Sequence, residues 1–139
     1  MKVVLDTNVL LVSFSERSES HWIFGLFLDE AFTICVTSEI LLEYEEIVGR
    51  EMGQRSANAL MQILENAPNV ERLHSWFRWN WIPADPDDNK FVDCAIGCNA
   101  LYLVSEDNHF QVLKKRPFLG FDVLKIEAFR KLFEADDSD

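Results

Sequence analysis

The alternation of apolar and polar positions divides the chain into short strands and amphipathic helices. Residues 2–5, Lys-Val-Val-Leu, read as a short buried strand that ends at Asp6. Trp22, Ile23, Leu26 and Phe27 set a helical period within residues 18–30. Residues 32–36 (FTICV) are β-branched and aromatic and predict a second strand. Thr37 or Ser38 can cap the next helix, whose apolar stripe runs through Ile40, Leu41, Tyr44, Ile47 and Val48. Another helix is expected over residues 51–65, ending near Pro68. Residues 70–83 follow no period and are rich in tryptophan. Asp85-Pro86 then opens a helix with proline at a favourable first position, and Phe91, Val92, Ala95 and Cys98 form its apolar side. Residues 101–104 and 121–124 predict a third and a fourth strand, and 126–133 a closing helix.

Strands that alternate with helices imply an α/β fold, a mainly parallel sheet covered on both faces and joined by right-handed crossovers. In such sheets function gathers beyond the carboxyl ends of the strands. The length of 139 residues suits one domain, taken here as 1–133 with an acidic tail at 134–139. With 48% hydrophobic residues the chain can build a real core, yet no apolar run is long enough to span a bilayer. The first apolar stretch meets Asp6 at once, unlike a secretory leader, so a cytoplasmic location without membrane attachment is expected. Three cysteines fit that compartment. Cys94 and Cys98 sit one helical turn apart, but no second Cys or His pair accompanies them, so they read as small buried hydrophobes rather than ligands.

Charge narrows the chemistry. Lys and Arg total 13 against 24 Asp and Glu, a net charge of −11, which is the reverse of the basic face usual in nucleic-acid binders. The alternative is that acids crowd one site and require cations there. Asp6 follows the first strand, Asp107 follows the strand at 101–104, and Asp85, Asp87 and Asp88 open a helix. Each alone could be a cap or a helix-dipole partner; together they fall at the end of the sheet where sites form. On the helix through Ile40 and Val48, Glu43 and Glu45 flank the apolar stripe at about 100° on either side, and periodicity does not choose between them.

The blocks VLDTNVLL, TSEILLEYEEIV, DPDDNKFVDCA and LVSEDNHF resemble the motif blocks of PIN domains, most closely the branch of toxin components of bacterial toxin–antitoxin pairs. The resemblance spans almost the whole chain in the expected order. It implies a three-layer α/β/α nuclease that hydrolyses single-stranded RNA with Mg²⁺ or Mn²⁺, an antitoxin partner and a homodimer. Carried over block by block, the implied catalytic and metal-holding acids are Asp6, Glu43, Asp88 and Asp107, which selects Glu43 over Glu45. Asn8 and Ser38 match supporting positions, as does Asp93, which lies about 140° round the helix from Asp88. The chain departs from the family pattern at Glu106, where small residues are common, and in its acidity.

Hard divalent cations prefer carboxylate oxygen and water, and two of them can activate a water and stabilise a leaving oxygen. Without them, two carboxylates at ~6 Å repel by roughly 3 kcal/mol at an effective dielectric of ~20. Lys90, Lys114 and Lys115 are candidate phosphate contacts, the last two in the one basic run, Lys114-Lys115-Arg116. His109 follows Asp107 closely but reads more readily as a surface histidine. Trp76, Trp79 and Trp81 could stack on bases, and packing or a protein interface is the preferred reading. Two rival functions remain. A haloacid-dehalogenase-like phosphotransferase also begins with a strand ending in Asp, but needs a second Asp where this chain has Asn8. A non-catalytic module could hold a structural cation.

Overall fold

A computed structural model describes residues 1–74, 77–79, 86–115 and 119–134. Trp76, Trp81, Asp85, Arg116, the Lys115 side chain and the tail at 135–139 lie outside the described residues. The strands are β1 (Lys2–Leu5), β2 (Thr33–Val36), β3 (Val70–Arg72), β4 (Tyr102–Val104) and β5 (Asp122–Leu124). The helices are α1 (Thr7–Phe14), α2 (Trp22–Leu28), α3 (Ser38–Met52), α4 (Gln54–Asn66), α5 (Asn89–Gly97) and α6 (Ile126–Glu134). Short 3₁₀ segments cover Pro86–Asp88 and Asn108–Lys115.

The strands form one sheet in the order β3-β2-β1-β4-β5, and every pairing is parallel. Val3, Val4 and Leu5 are consecutive and no more than 1% exposed. Successive strand residues point to opposite faces, so both faces of β1 are covered and the domain has three layers. Ile34, Cys35 and Val36 repeat that pattern in β2. Phe129 of α6 is fully buried and packs its ring edge-on against Phe32 and alongside Trp22, which closes the core over α2. No helix among the described residues is long and apolar enough to cross a membrane.

Two elements escaped the hydrophobic pattern. In α1, Val9, Leu10, Leu11 and Val12 are consecutive, so no stripe marks it as helical. In β3, Val-Glu-Arg offers one apolar residue, and the strand exists through its backbone pairing with β2 within a stretch expected to be irregular. The helix expected to open at Pro86 begins instead with a 3₁₀ turn, and α5 starts at Asn89. Thr37, not Ser38, caps α3, its hydroxyl accepting the Ile40 N–H at 3.2 Å.

One side chain locks α3 to the centre of the sheet. The buried Tyr44 hydroxyl donates to the Leu5 carbonyl at 2.5 Å, at the last residue of β1. Burial holds that phenol well above its ordinary pKa, so it stays a donor. Tyr44→Phe removes the donor of this contact and leaves the buried Leu5 carbonyl short of a partner. The expected loss is about 1–3 kcal/mol of unfolding free energy, read from urea denaturation at unchanged m-value.

Candidate active site

β1 connects onward to β2 on one side of the sheet while β4 connects to β5 on the other, so β1 and β4 flank the switch point. Leu5 lies opposite Val104, and the Asp6 N–H donates to the Val104 carbonyl at 3.1 Å. The next residues, Asp6 and Ser105, therefore leave the sheet side by side. Asp6 caps α1, its Oδ1 accepting the Val9 N–H at 2.8 Å, while its Oδ2 accepts the Ser105 hydroxyl. The same Ser105 oxygen accepts the Asp107 N–H at 2.9 Å and so shapes the loop that presents Asp107.

Asp88 reaches the cleft from the start of α5. It occupies the cap position yet makes no side-chain cap bond there, so its carboxylate points elsewhere. His109 Nδ1 stands 3.3 Å from Asp88 Oδ2 and 3.3 Å from Asp107 Oδ1. The potential ligand atoms of Asp88, Asp107 and His109 all lie within 4.8 Å of one another. Glu43 enters from α3, where it accepts the Thr7 hydroxyl and pairs with Lys90 Nζ at 2.7 Å. Asp6, Glu43, Asp88 and Asp107 thus line one cleft of about 190 Å³, with Thr7, Asn8, Ile47 and Phe91.

The electrostatics of the cleft are uneven. Asp6 is 6% exposed, and its pKa is pushed from 3.8 up to about 6. Burial is the largest cause, the charges of Asp88 and Asp107 add to it, and the hydrogen bonds from Ser105 and Val9 oppose it. Glu43 has Lys90 beside it as a resident cation. The Lys90 side chain, a candidate phosphate contact, is only 10% exposed and is paired with Glu43.

The other sequence candidates fall as follows. Asn8 is exposed on the cleft wall. Ser38 is exposed at the start of α3 and accepts from Arg72 Nη2 at 2.8 Å. Asp93 is buried and accepts the Trp79 N–H at 2.9 Å, holding the aromatic segment rather than lining the cleft; burial raises its pKa. Lys114 is exposed on the 3₁₀ segment after Asp107. Trp79 is 47% exposed and meets Phe77, itself 76% exposed, edge to face. Sequence reasoning passed over Ser105 and Thr7, and gave His109 to the surface. The signal for all three was adjacency to an acid block, which is weak for a hydroxyl or a lone imidazole.

A parallel sheet with carboxylates gathered at its switch point defines an acidic-cleft α/β domain. The PIN-domain profile matches residues 2–109, and the chain belongs to the PIN-domain family. Its fold is similar to a solved structure of VapBC2 from Rickettsia felis bound to a DNA fragment from their promoter. The TM-score is 0.61 at 18% identity, over 90% of this chain and 98% of that one. It is also similar to VapC20 of Mycobacterium tuberculosis, described as a Sarcin-Ricin loop cleaving toxin, with TM-score 0.61 at 14% identity over 79% and 93%. DNA-bound VapBC from Salmonella typhimurium gives 0.58 at 19% identity over 91% and 98%. At such identities the likeness is one of fold. A comparison with curated protein sequences gives no match.

The raised pKa of Asp6 makes a stability statement for the metal-free chain. Between about pH 4 and pH 6 the folded state holds a proton that the unfolded state has lost. Stability therefore falls as pH rises through this window, and the cost, on the order of 3 kcal/mol, is complete above it. Asn at this position can accept from Val9 and donate to Ser105 without charge. In chelator at pH 7.5, Asp6→Asn is expected to melt several degrees above the parent chain, with the pH slope between 4 and 6 flattened. Equal melting of the two proteins across pH 4–8 would show that Asp6 carries no burden of charge.

Proposed function

We propose that this PIN-domain protein is a metal-dependent endoribonuclease that hydrolyses phosphodiester bonds of single-stranded RNA, the toxin of a toxin–antitoxin pair. The observation that carries the reading is the convergence of Asp6, Asp88 and Asp107 at the switch point, with Asp6 buried among like charges. A carboxylate-rich set with one member buried among like charges fits a hard cation such as Mg²⁺ or Mn²⁺, which keeps several waters. Asp6, Asp88 and Asp107 would hold it, with Glu43 at the rim. When bound, such ions activate the attacking water and stabilise charge on the leaving oxygen.

The chain's own residues supply placement. Ser105 and the Val9 N–H fix both oxygens of Asp6, so its carboxylate is oriented before any ligand arrives. His109 bridges Asp88 and Asp107 and holds these two carboxylates together. Thr7 and Lys90 fix Glu43. Lys114 and Lys115 are the cations proposed to meet backbone phosphate. The VapBC structures pair a toxin with its antitoxin, and FitAcB from Neisseria gonorrhoeae, with TM-score 0.52 at 13% identity over 89% and 97%, shares the fold. By that analogy an antitoxin covers this cleft in the cytoplasm, and a homodimer assembles a more basic groove than one chain provides.

The test is cleavage of single-stranded RNA, duplex RNA and single-stranded DNA by the purified chain with Mg²⁺, with Mn²⁺ and with chelator. Single-stranded RNA is expected to be cut only with metal. Asp88→Asn and Asp107→Asn should each lower the rate by at least about 10- to 100-fold, the range seen even for outer partners of metal ligands. Undiminished cleavage in chelator, or in both variants, would remove the proposal.

The net charge of −11 adds a second expectation. RNA binding by the isolated chain should have a shallow salt slope, because few phosphates are neutralised. Replacing Lys114 and Lys115 together should weaken it. A steep slope untouched by that double substitution would place the substrate surface elsewhere.

A further inference from the structure

We propose that Cys35, Cys98 and Glu71, with Cys94 beside them, form a second metal site, one that takes a thiophilic divalent cation of the zinc type. Cys35 is distant in sequence from Cys94 and Cys98, and the fold brings it to Cys98. Cys35 of β2 lies in register with Glu71 of β3, so their side chains share one face of the sheet. Cys98 closes the end of α5, which packs over that part of the sheet. The Sγ atoms of Cys35 and Cys98 and a carboxylate oxygen of Glu71 all lie within 4.8 Å of one another.

The spacing matches the chemistry. Zinc–sulfur and zinc–oxygen bonds in a tetrahedral site place a sulfur and an oxygen ligand about 3.5 Å apart. Cys35 Sγ and Glu71 Oε2 are separated by 3.6 Å. All three cysteines are unbridged and buried, which keeps competing water from the sulfurs. The Cys35 thiol donates to Glu71 Oε2, so sulfur and carboxylate already face one another.

A cation already stands at this place. Lys2 Nζ lies 3.0 Å from Glu71 and donates to the Cys98 carbonyl at 3.4 Å. Its side chain is 44% exposed, so the ammonium can swing into solvent when a metal takes the carboxylate. On binding, the ligating thiols lose their protons to solvent and no electrons are transferred. Soft sulfur distinguishes this site from the carboxylate cleft, and about 15 Å of helix separates Cys98 from Asp88. The ion would tie β2, β3 and the end of α5 together.

The full chain, reduced and stripped with chelator, is titrated with Co²⁺ as a spectroscopic stand-in for zinc. One equivalent is expected to produce thiolate-to-cobalt charge-transfer absorption in the near ultraviolet, which one equivalent of Zn²⁺ abolishes. Asp88→Asn should leave the band intact, since oxygen ligands do not give it. Cys98→Ser should remove it. Glu71→Gln alters a half-exposed side chain and should fold normally, while weakening Zn²⁺ binding at least tenfold in competition with a chromophoric chelator. The proposal is overturned if the parent chain gives no thiolate band at one equivalent. It is overturned equally if the band survives both Cys98→Ser and Glu71→Gln, or if Cys35 and Cys98 are recovered as a disulfide from protein purified without reductant.

Discussion

Asp6 is a carboxylate forced into the interior by the ladder between β1 and β4. The Leu5–Val104 register places it next to Ser105, and its own N–H is committed to the Val104 carbonyl, so it cannot turn out to solvent without disrupting the ladder. Everything acidic in the cleft is arranged around that constraint. Ser105 satisfies one oxygen and positions the Asp107 loop through the other side of the same hydroxyl. α1 begins where it does because the second oxygen of Asp6 caps it. The remaining acids are then held by separate devices, Asp88 and Asp107 by one imidazole and Glu43 by a lysine and a threonine.

This division of labour explains why the cleft has two electrostatic halves. On the Glu43 side the negative charge is matched by a mostly buried ammonium, and such a pair resists change because removing either partner strands the other. On the Asp6 side the buried carboxylate is held by hydrogen bonds from Val9 and Ser105, and burial raises its pKa.

Sequence pattern was most informative where burial is periodic. The stripe through Ile40, Tyr44 and Val48 located α3, and the apolar runs located β1, β2, β4 and β5 to within a residue of their ends. It failed at α1, whose consecutive apolar residues have no polar face, and at β3, whose place in the sheet comes from backbone pairing. The acids following β1 and β4 were legible because a parallel sheet puts strand ends together. Glu43 was not separable from Glu45 by period, and it took the motif resemblance to choose it; its position in the cleft depends on how α3 is rotated by Tyr44. The pairing of Lys90 with Glu43, and of Cys35 with Glu71, joins distant segments through tertiary packing and strand register. Neither can be read from local spacing.

The strand order has a further consequence at its two borders. β3 and β5 are the edges of the sheet, each three residues long, with Glu71 and Arg72 on one and Asp122 on the other. Short, charged borders are poor templates for strand addition. Lateral growth of the sheet into β-aggregates is thereby disfavoured, and a stable complex with another chain must be built from the helices and loops.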